Sequence, residues 1–442
     1  MKLLEKIKKK ENLFLLTLTI LIFLLFLPHY VKSLINFPYQ LNLQELLINY
    51  QGGFIRRGIF GEIILKIYQT FNIDPLKFLS SIFILISLLQ IFIFYKLLVK
   101  YQNNYFLLIF ILFGPATILF SIYDVSAYML KDKFINILIL IHVFFASYFI
   151  KKNSLKNYNL FLIFFIIPTL NFNFLMHENQ FLFLGIHILV SSYVYQSLSK
   201  INFFKTKIIY AYALILIPIL LIIFDSNLNY KIQLIKISLL ENFPFIWEKF
   251  PEVASFLSKE TVWELEGNLN LKIGALMKIY MFYNYPAITN TMIAFILSVS
   301  LIFIIFHSRL KEKLLIFNKR NKFNYLFLFL PALIVSFLTT DFGRAFNMIS
   351  MHYLAFYLIF PNQYNIKNFS IININKSIKN YLICIFLFFY CFFWTMPHAI
   401  GWITLTDVRN SSLIEEIVNL SIHTFNITDK YLITLPRADF MK

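Results

Sequence analysis

Leu13-Phe14-Leu15-Leu16-Thr17-Leu18-Thr19-Ile20-Leu21-Ile22-Phe23-Leu24-Leu25-Phe26-Leu27 contains no charged side chain, and Lys6, Lys8, Lys9 and Lys10 stand just ahead of it. A basic flank before an apolar run also opens a secretory signal, but such a signal runs on into a small-residue cleavage site. Here Pro28-His29-Tyr30 follows instead. The stretch reads as a first, uncleaved membrane span whose lysines stay in the cytoplasm.

A hydrocarbon core about 30 Å thick asks for ~20 apolar residues per helix. Stretches of that kind recur along the chain, and the pattern predicts an all-α, polytopic transmembrane bundle of about eleven spans. They fall near 12–33, 77–99, 104–122, 133–150, 159–176, 180–198, 207–225, 285–306, 324–340, 345–360 and 378–397. The turns around 176–180 and 340–345 are short enough for re-entrant hairpins. Composition agrees: of 442 residues 59% are hydrophobic and 14% charged, with a mean hydropathy of +0.70, which excludes a soluble domain with a water-facing surface.

The net charge of +18 would point to nucleic acid in a soluble protein. Here 22 of the 40 basic residues lie in the segments 1–11, 96–103, 151–158, 199–207, 307–323 and 361–380, which alternate with the other loops. That is the positive-inside pattern, so no nucleic-acid partner is expected. It predicts a multi-pass protein of the cytoplasmic (inner) membrane with a cytoplasmic N-terminus. Residues 1–225 form N-terminal spans with a Gly/Arg-rich outer loop, 226–284 an extracytoplasmic region of short amphipathic helices, and 285–442 the C-terminal spans and outer tail. Cys384 and Cys391, seven residues apart on one helix, lie roughly 10 Å apart along its axis and cannot bridge.

Arginine departs from the lysine pattern. Of seven arginines only Arg309 and Arg320 fall in predicted cytoplasmic loops. Arg56 and Arg57 stand in Gln51-Gly52-Gly53-Phe54-Ile55-Arg56-Arg57-Gly58, the first outer loop. Gly52 and Gly53 would let backbone N–H groups approach a ligand, and a guanidinium fork matches phosphate oxygens. The same arginines on a juxtamembrane amphipathic helix would touch ordinary lipid phosphates. Asp341 and Arg344, in the turn Thr340-Asp341-Phe342-Gly343-Arg344, pair at helical spacing as ligand groups or as a structural salt bridge. His177-Glu178 forms a second tight turn, where a His beside a carboxylate suits general-base chemistry, or simple capping. Asp124, with Lys131-Asp132-Lys133 downstream, faces the same side; snorkelling explains those lysines as well as catalysis does. His142, His187 and His352 read as packing residues. No spacing of His, Cys, Asp or Glu spells a metal site, so neither metal nor cofactor is expected.

A basic, Gly-rich first outer loop, a His-Glu pair, an Asp-x-Gly-Arg turn and one long outer loop on about eleven spans resemble bacterial integral-membrane glycosyltransferases. The O-antigen and capsular polysaccharide polymerases are the nearest in character, with a looser likeness to the GT-C superfamily. The resemblance covers the architecture of the whole chain. It implies metal-independent, inverting transfer of a glycan from an undecaprenyl-diphosphate carrier to a sugar acceptor outside the membrane. Substrate binding would fall to Arg56, Arg57, Arg344, Asp341, Gly52 and Gly53, and catalysis to Glu178, His177 or Asp124. The first outer loop departs from the GT-C pattern in lacking a paired-acid signature and offers only Glu45 and Glu62. A flippase or transporter of lipid-linked sugars, or a membrane acyltransferase, is the competing reading; the charges at one face and the missing duplication favour the enzyme.

Overall fold

The computed structural model describes residues 2–35, 40–52, 57–101, 105–123, 129–217, 228–249, 292–310, 342–360 and 376–392, with positions 54, 330, 334, 394 and 396. Among the described residues all regular structure is helical. A long α1 (Lys2–Ile35) leads through α2 (Gln40–Leu47) and α3 (Gly58–Phe71) into α4 (Pro75–Leu98). Then come α5 (Tyr105–Phe113), the single turn α6 (Phe120–Tyr123), α7 (Asp132–Lys152), α8 (Leu155–Phe161), α9 (Ile167–Met176), α10 (Leu184–Ser199) and α11 (Ile209–Ala213). After them follow α12 (Leu228–Asn242), α13 (Pro244–Lys249), α14 (Leu301–Leu310), α15 (Phe342–Leu358) and α16 (Lys376–Phe392).

Four helical stretches are long and apolar enough to cross a membrane: Pro75–Tyr101, Asp132–Lys152, Leu155–Met176 and Gln180–Ser199. Shorter apolar helices cover Asn12–Pro28, Met292–Ile305 and Tyr381–Cys391. Among the described residues the chain is thus all-helical, with spans suited to a membrane protein, and the expected span at 324–340 lies almost wholly outside them. The outer faces of the spans fit that solvent. On α4, Leu85 and Phe92 are 65% and 53% exposed, while Leu79, Phe83 and Phe94 face the bundle core. Such a stripe is unfavourable in water and neutral in lipid.

The ends of the spans follow from local chemistry. Asp74 caps α4 by accepting from the Leu76 N–H at 2.8 Å, with Pro75 in the first turn where its missing donor is harmless. Asn153 closes α7 in the left-handed conformation, φ 51°, its N–H bonded to Ile150 O. The third span contains Pro168, and one π turn, Leu162–Ile166, stands just before it, with the Ile167 N–H bonded to Leu162 O.

The segment 104–122, expected as one span, is broken. Gly114-Pro115 ends α5, and a turn follows before α6. Its carbonyls are satisfied inside the protein: Asn347 Nδ2 donates to Ala116 O and Thr117 O at 3.1 and 2.7 Å, and the Thr117 hydroxyl contacts Ile111 O and Gly114 O, each at 2.8 Å. Irregular backbone inside a membrane domain is tolerated only with such partners.

Across the bundle, α4, α7, α10 and α15 run the same way. Ser87 meets Lys133, Arg344 meets Asp132 and Asn347 meets Asn136, while at the far end Tyr101 donates to Phe360 O at 3.0 Å. The N-terminal ends of α7 and α15, the start of α3, the C-terminal end of α9 and the short helix α2 therefore gather at one end. Part of the expected amphipathic region at 226–284 is described as α12 and α13. α12 lies over α3 and the first loop, through Ser238 on Asn49 and Tyr68 against Phe243 at 5.7 Å between ring centroids.

Candidate functional site

At that end the centre is Glu45, on α2. Its neighbours Leu43, Leu46 and Leu47 are buried, so the helix is pinned by its apolar face and carries the carboxylate inward. Arg57 Nη1 lies 3.3 Å and His177 Nε2 3.7 Å from Glu45 Oε1, the first a hydrogen bond and the second an ion-pair distance. Lys131, only 1% exposed, donates from Nζ to Arg57 O at 3.2 Å, and Gln180 Nε2 donates to Lys131 O at 3.2 Å. Arg344 Nε donates to Asp132 Oδ2 at 2.9 Å. These groups come from five separate stretches of chain.

Burial alone would push the Glu45 carboxyl up. The charges of Arg57, Lys131, His177 and Arg344 overcome it and hold the group down at about 2. One carboxylate therefore feels three fixed cations and, when His177 is protonated, a fourth. Arg57 also has φ 67°, the left-handed region that a non-glycine residue enters only at some energetic expense. That strain, together with its 5% exposure, places the guanidinium inside the cluster and not along the surface.

Beside the cluster Asp132, Lys133, Asn136, Arg344 and Asn347 line a small polar cleft of about 20 Å³, partly open to the outside, together with Gln90 and Thr117. Asn136 Nδ2 donates to Asn347 Oδ1 at 3.3 Å. Asp132 Oδ1 and Asn136 Oδ1, one helical turn apart on α7, are buried without a hydrogen-bond partner. Two bare acceptors in a polar cleft call for a donor such as a hydroxyl. Arg344 joins the two halves, since it holds Asp132 and also acts on Glu45.

Of the residues singled out from sequence, Arg57, His177 and Arg344 meet here. Arg56, Gly53, Asp124 and Asp341 lie outside the described residues, as does the Glu178 side chain, whose backbone opens a 3-10 turn. Gly52 has a packing reason: a Cβ there would fall 2.5 Å from Lys231 O of α12. The loop is tied down further by Glu62, whose Oε2 accepts from the Tyr50 N–H at 3.0 Å and from Gln51 Nε2 at 3.2 Å. The sequence shows Glu45 only as one of two acids in the first outer loop, and it explains Lys131 by snorkelling as well as by catalysis. Asp132 entered only as part of that lysine pair. The one signal for Lys131 and Asp132 was their place at the same predicted membrane face as the arginines.

Comparison with known protein families, with characterised proteins and with solved structures finds no match to this chain. Fold and site together define a helical membrane protein with a buried basic cluster and an adjoining polar cleft at one end of its bundle.

Proposed function

We propose that this protein is a membrane glycosyltransferase, or polysaccharide polymerase, that moves a glycan from a polyprenyl-(di)phosphate carrier to a sugar acceptor at the outer face of the cytoplasmic membrane. In this reading about eleven spans, by the lysine pattern, place the cluster outside. The observation that carries it is the sharing of Arg344 between a group of cations suited to phosphate and a cleft suited to a hydroxyl.

Arg57, Lys131 and Arg344 hold the diphosphate, and His177 adds to them when protonated. Negative charge grows on the leaving oxygen as the glycosidic C–O bond breaks, and fixed cations in a water-poor site favour that transition state. The acceptor hydroxyl forms the new C–O bond and gives its proton to a carboxylate. Glu45 is a weak proton acceptor at about 2 and serves to position Arg57 and His177. Asp132, which lines the cleft, is placed for that role: Arg344 fixes Oδ2, and Oδ1 is left without a hydrogen-bond partner. Glu178, Asp124 and His177 are the other candidates for that role.

The test is transfer from a lipid-diphosphate glycan by purified protein in vesicles. Arg57→Ala and Arg344→Ala each remove a charge-assisted bond of about 1.5–3 kcal/mol. Both are expected to lower turnover at unchanged abundance, with Lys restoring only part because it lacks the fork. Asp132→Asn is expected to lower turnover by about 10²–10⁴-fold with donor still bound, whereas Glu178→Gln does so only if Glu178 is the base. Absence of transfer by the wild type removes the proposal. Movement of the lipid-linked sugar across the bilayer instead would establish the second reading, a flippase, which the polar groups inside the bundle favour.

A further inference from the structure

A second polar assembly lies deeper in the bundle, outside the site above. His142 of α7, His187 of α10 and His352 of α15 are all fully buried, at 0% exposure. Their spacing in sequence spells nothing, yet the fold joins them. His142 Nδ1 and His187 Nδ1 are 3.0 Å apart, and the rings of His187 and His352 meet edge-on with centroids 6.1 Å apart. From His142 the chain continues through Nε2 to the Tyr158 hydroxyl at 2.9 Å, on to Ser191 Oγ at 2.9 Å, and from there to the Tyr212 hydroxyl at 2.9 Å.

Donor counting fixes the protons. Ser191 gives its one hydrogen to His187 O, so Tyr212 donates to Ser191. Tyr158 also gives its one hydrogen to Ser191, so its oxygen accepts from His142 Nε2–H. His142 Nδ1 is then an acceptor and takes the Nδ1–H of His187. His352 donates from Nδ1 to Met348 O at 2.8 Å. Each ring carries one N–H, and every one is used. What remains is a bare Nε2 on His187 and another on His352, both buried and both without a partner.

Two lone-pair nitrogens in neighbouring buried rings, with Phe183 stacked on His352 at 4.3 Å, leave two acceptors unmet. A water molecule has two O–H donors and is small enough for a buried site. We propose that His187 and His352 form a buried water site, and that this water feeds an intramembrane proton-relay chain from His187 to Tyr212. A proton taken from the water at His187 Nε2 releases the Nδ1 proton to His142 Nδ1. His142 Nε2–H passes its proton to Tyr158 and Tyr158 to Ser191; once the Ser191 and Tyr212 hydroxyls have both rotated, Ser191 passes one to Tyr212, whose own proton goes to an exit water. This leaves a hydroxide at the entry water and a hydronium at the exit water, and proton exchange with bulk water neutralises both. The chain is independent of the phosphate site, so its test does not depend on the proposed transfer reaction.

Nitrogen-15 NMR of the histidine-labelled full chain in bilayers reads both parts. The expected tautomers are Nε2–H at His142 and Nδ1–H at His187 and His352, with magnetisation passing from water protons to the two bare Nε2 atoms. On transfer to D₂O, the side-chain N–H groups of His142 and His187 are expected to exchange at least tenfold faster than the backbone amides of the same two residues. Tyr158→Phe, which keeps the ring and removes the hydroxyl, should slow the His142 exchange at least tenfold and change its tautomer. Ser191→Ala interrupts the same chain one link further on and should slow it likewise should Tyr158→Phe fail to accumulate. A protonated Nε2 on His187 or His352, or no transfer from water to either, overturns the water site. Exchange no faster than the backbone amides, or unaffected by the variants, overturns the relay.

Discussion

Glu45 is the residue on which the cluster turns. Because its folded-state carboxyl lies at about 2, below its ordinary 4.5, the folded protein binds protons less readily than the unfolded chain there. The ion-pair contribution is complete above about pH 4.5 and is lost as pH falls towards about 2, on the order of 3 kcal/mol in all. Thermal unfolding in detergent at pH 7 and pH 3 should show the wild type losing more stability on acidification than Glu45→Gln. Equal losses would mean that the four cations do not act on Glu45. At pH 7 the variant should itself be less stable, since a carboxylate that faced Arg57 and His177 has become neutral.

At the scale of elements, the site depends on how α2 meets α3. Gly61, in the first turn of α3, touches the backbone of Leu47 and Ile48 at the end of α2, and a Cβ added there would collide with the Ile48 carbonyl. Backbone on both sides cannot swing away as a flexible side chain does. Gly61→Ala should therefore push the helices apart, move Glu45 away from Arg57, and destabilise by about 1–3 kcal/mol. The readout is the unfolding midpoint of the purified protein; an unchanged midpoint would show that the two helices slide without penalty. α9 reaches the same site by another device. A π turn stands just before its Pro168, and the helix delivers His177, whose extended backbone (φ −160°) ends the span.

For the whole molecule, the open question is which side of the membrane the cluster faces. From the Lys-rich segments Ser154 and Lys319 are expected in the cytoplasm and Lys259 outside. Single cysteines at those positions, labelled in intact cells with a membrane-impermeant maleimide, should react at 259 and stay protected at 154 and 319. Labelling at 319 from outside would invert the topology and with it the placing of the donor. The parallel run of α4, α7, α10 and α15 adds a geometric constraint, because their N-terminal halves bring the two polar ends of α7 and α15 together.

Sequence alone determined the solvent and the class. Long uncharged runs can be helices in lipid and little else, since each backbone N–H and C=O must be paired within its own segment. It also marked Arg57, His177 and Arg344, because charged residues at span ends are conspicuous against an apolar background. Tertiary structure decided what those residues meet. Glu45 lies 132 positions before His177 in the chain and Asp132 lies 212 before Arg344, and no local periodicity records such pairings. Nor did sequence show that 104–122 breaks at Gly114-Pro115, because the carbonyls freed there are answered by Asn347, 230 residues away. The three histidines make the same point. Each is an ordinary apolar-helix residue until the packing of α7, α10 and α15 sets one ring against the next.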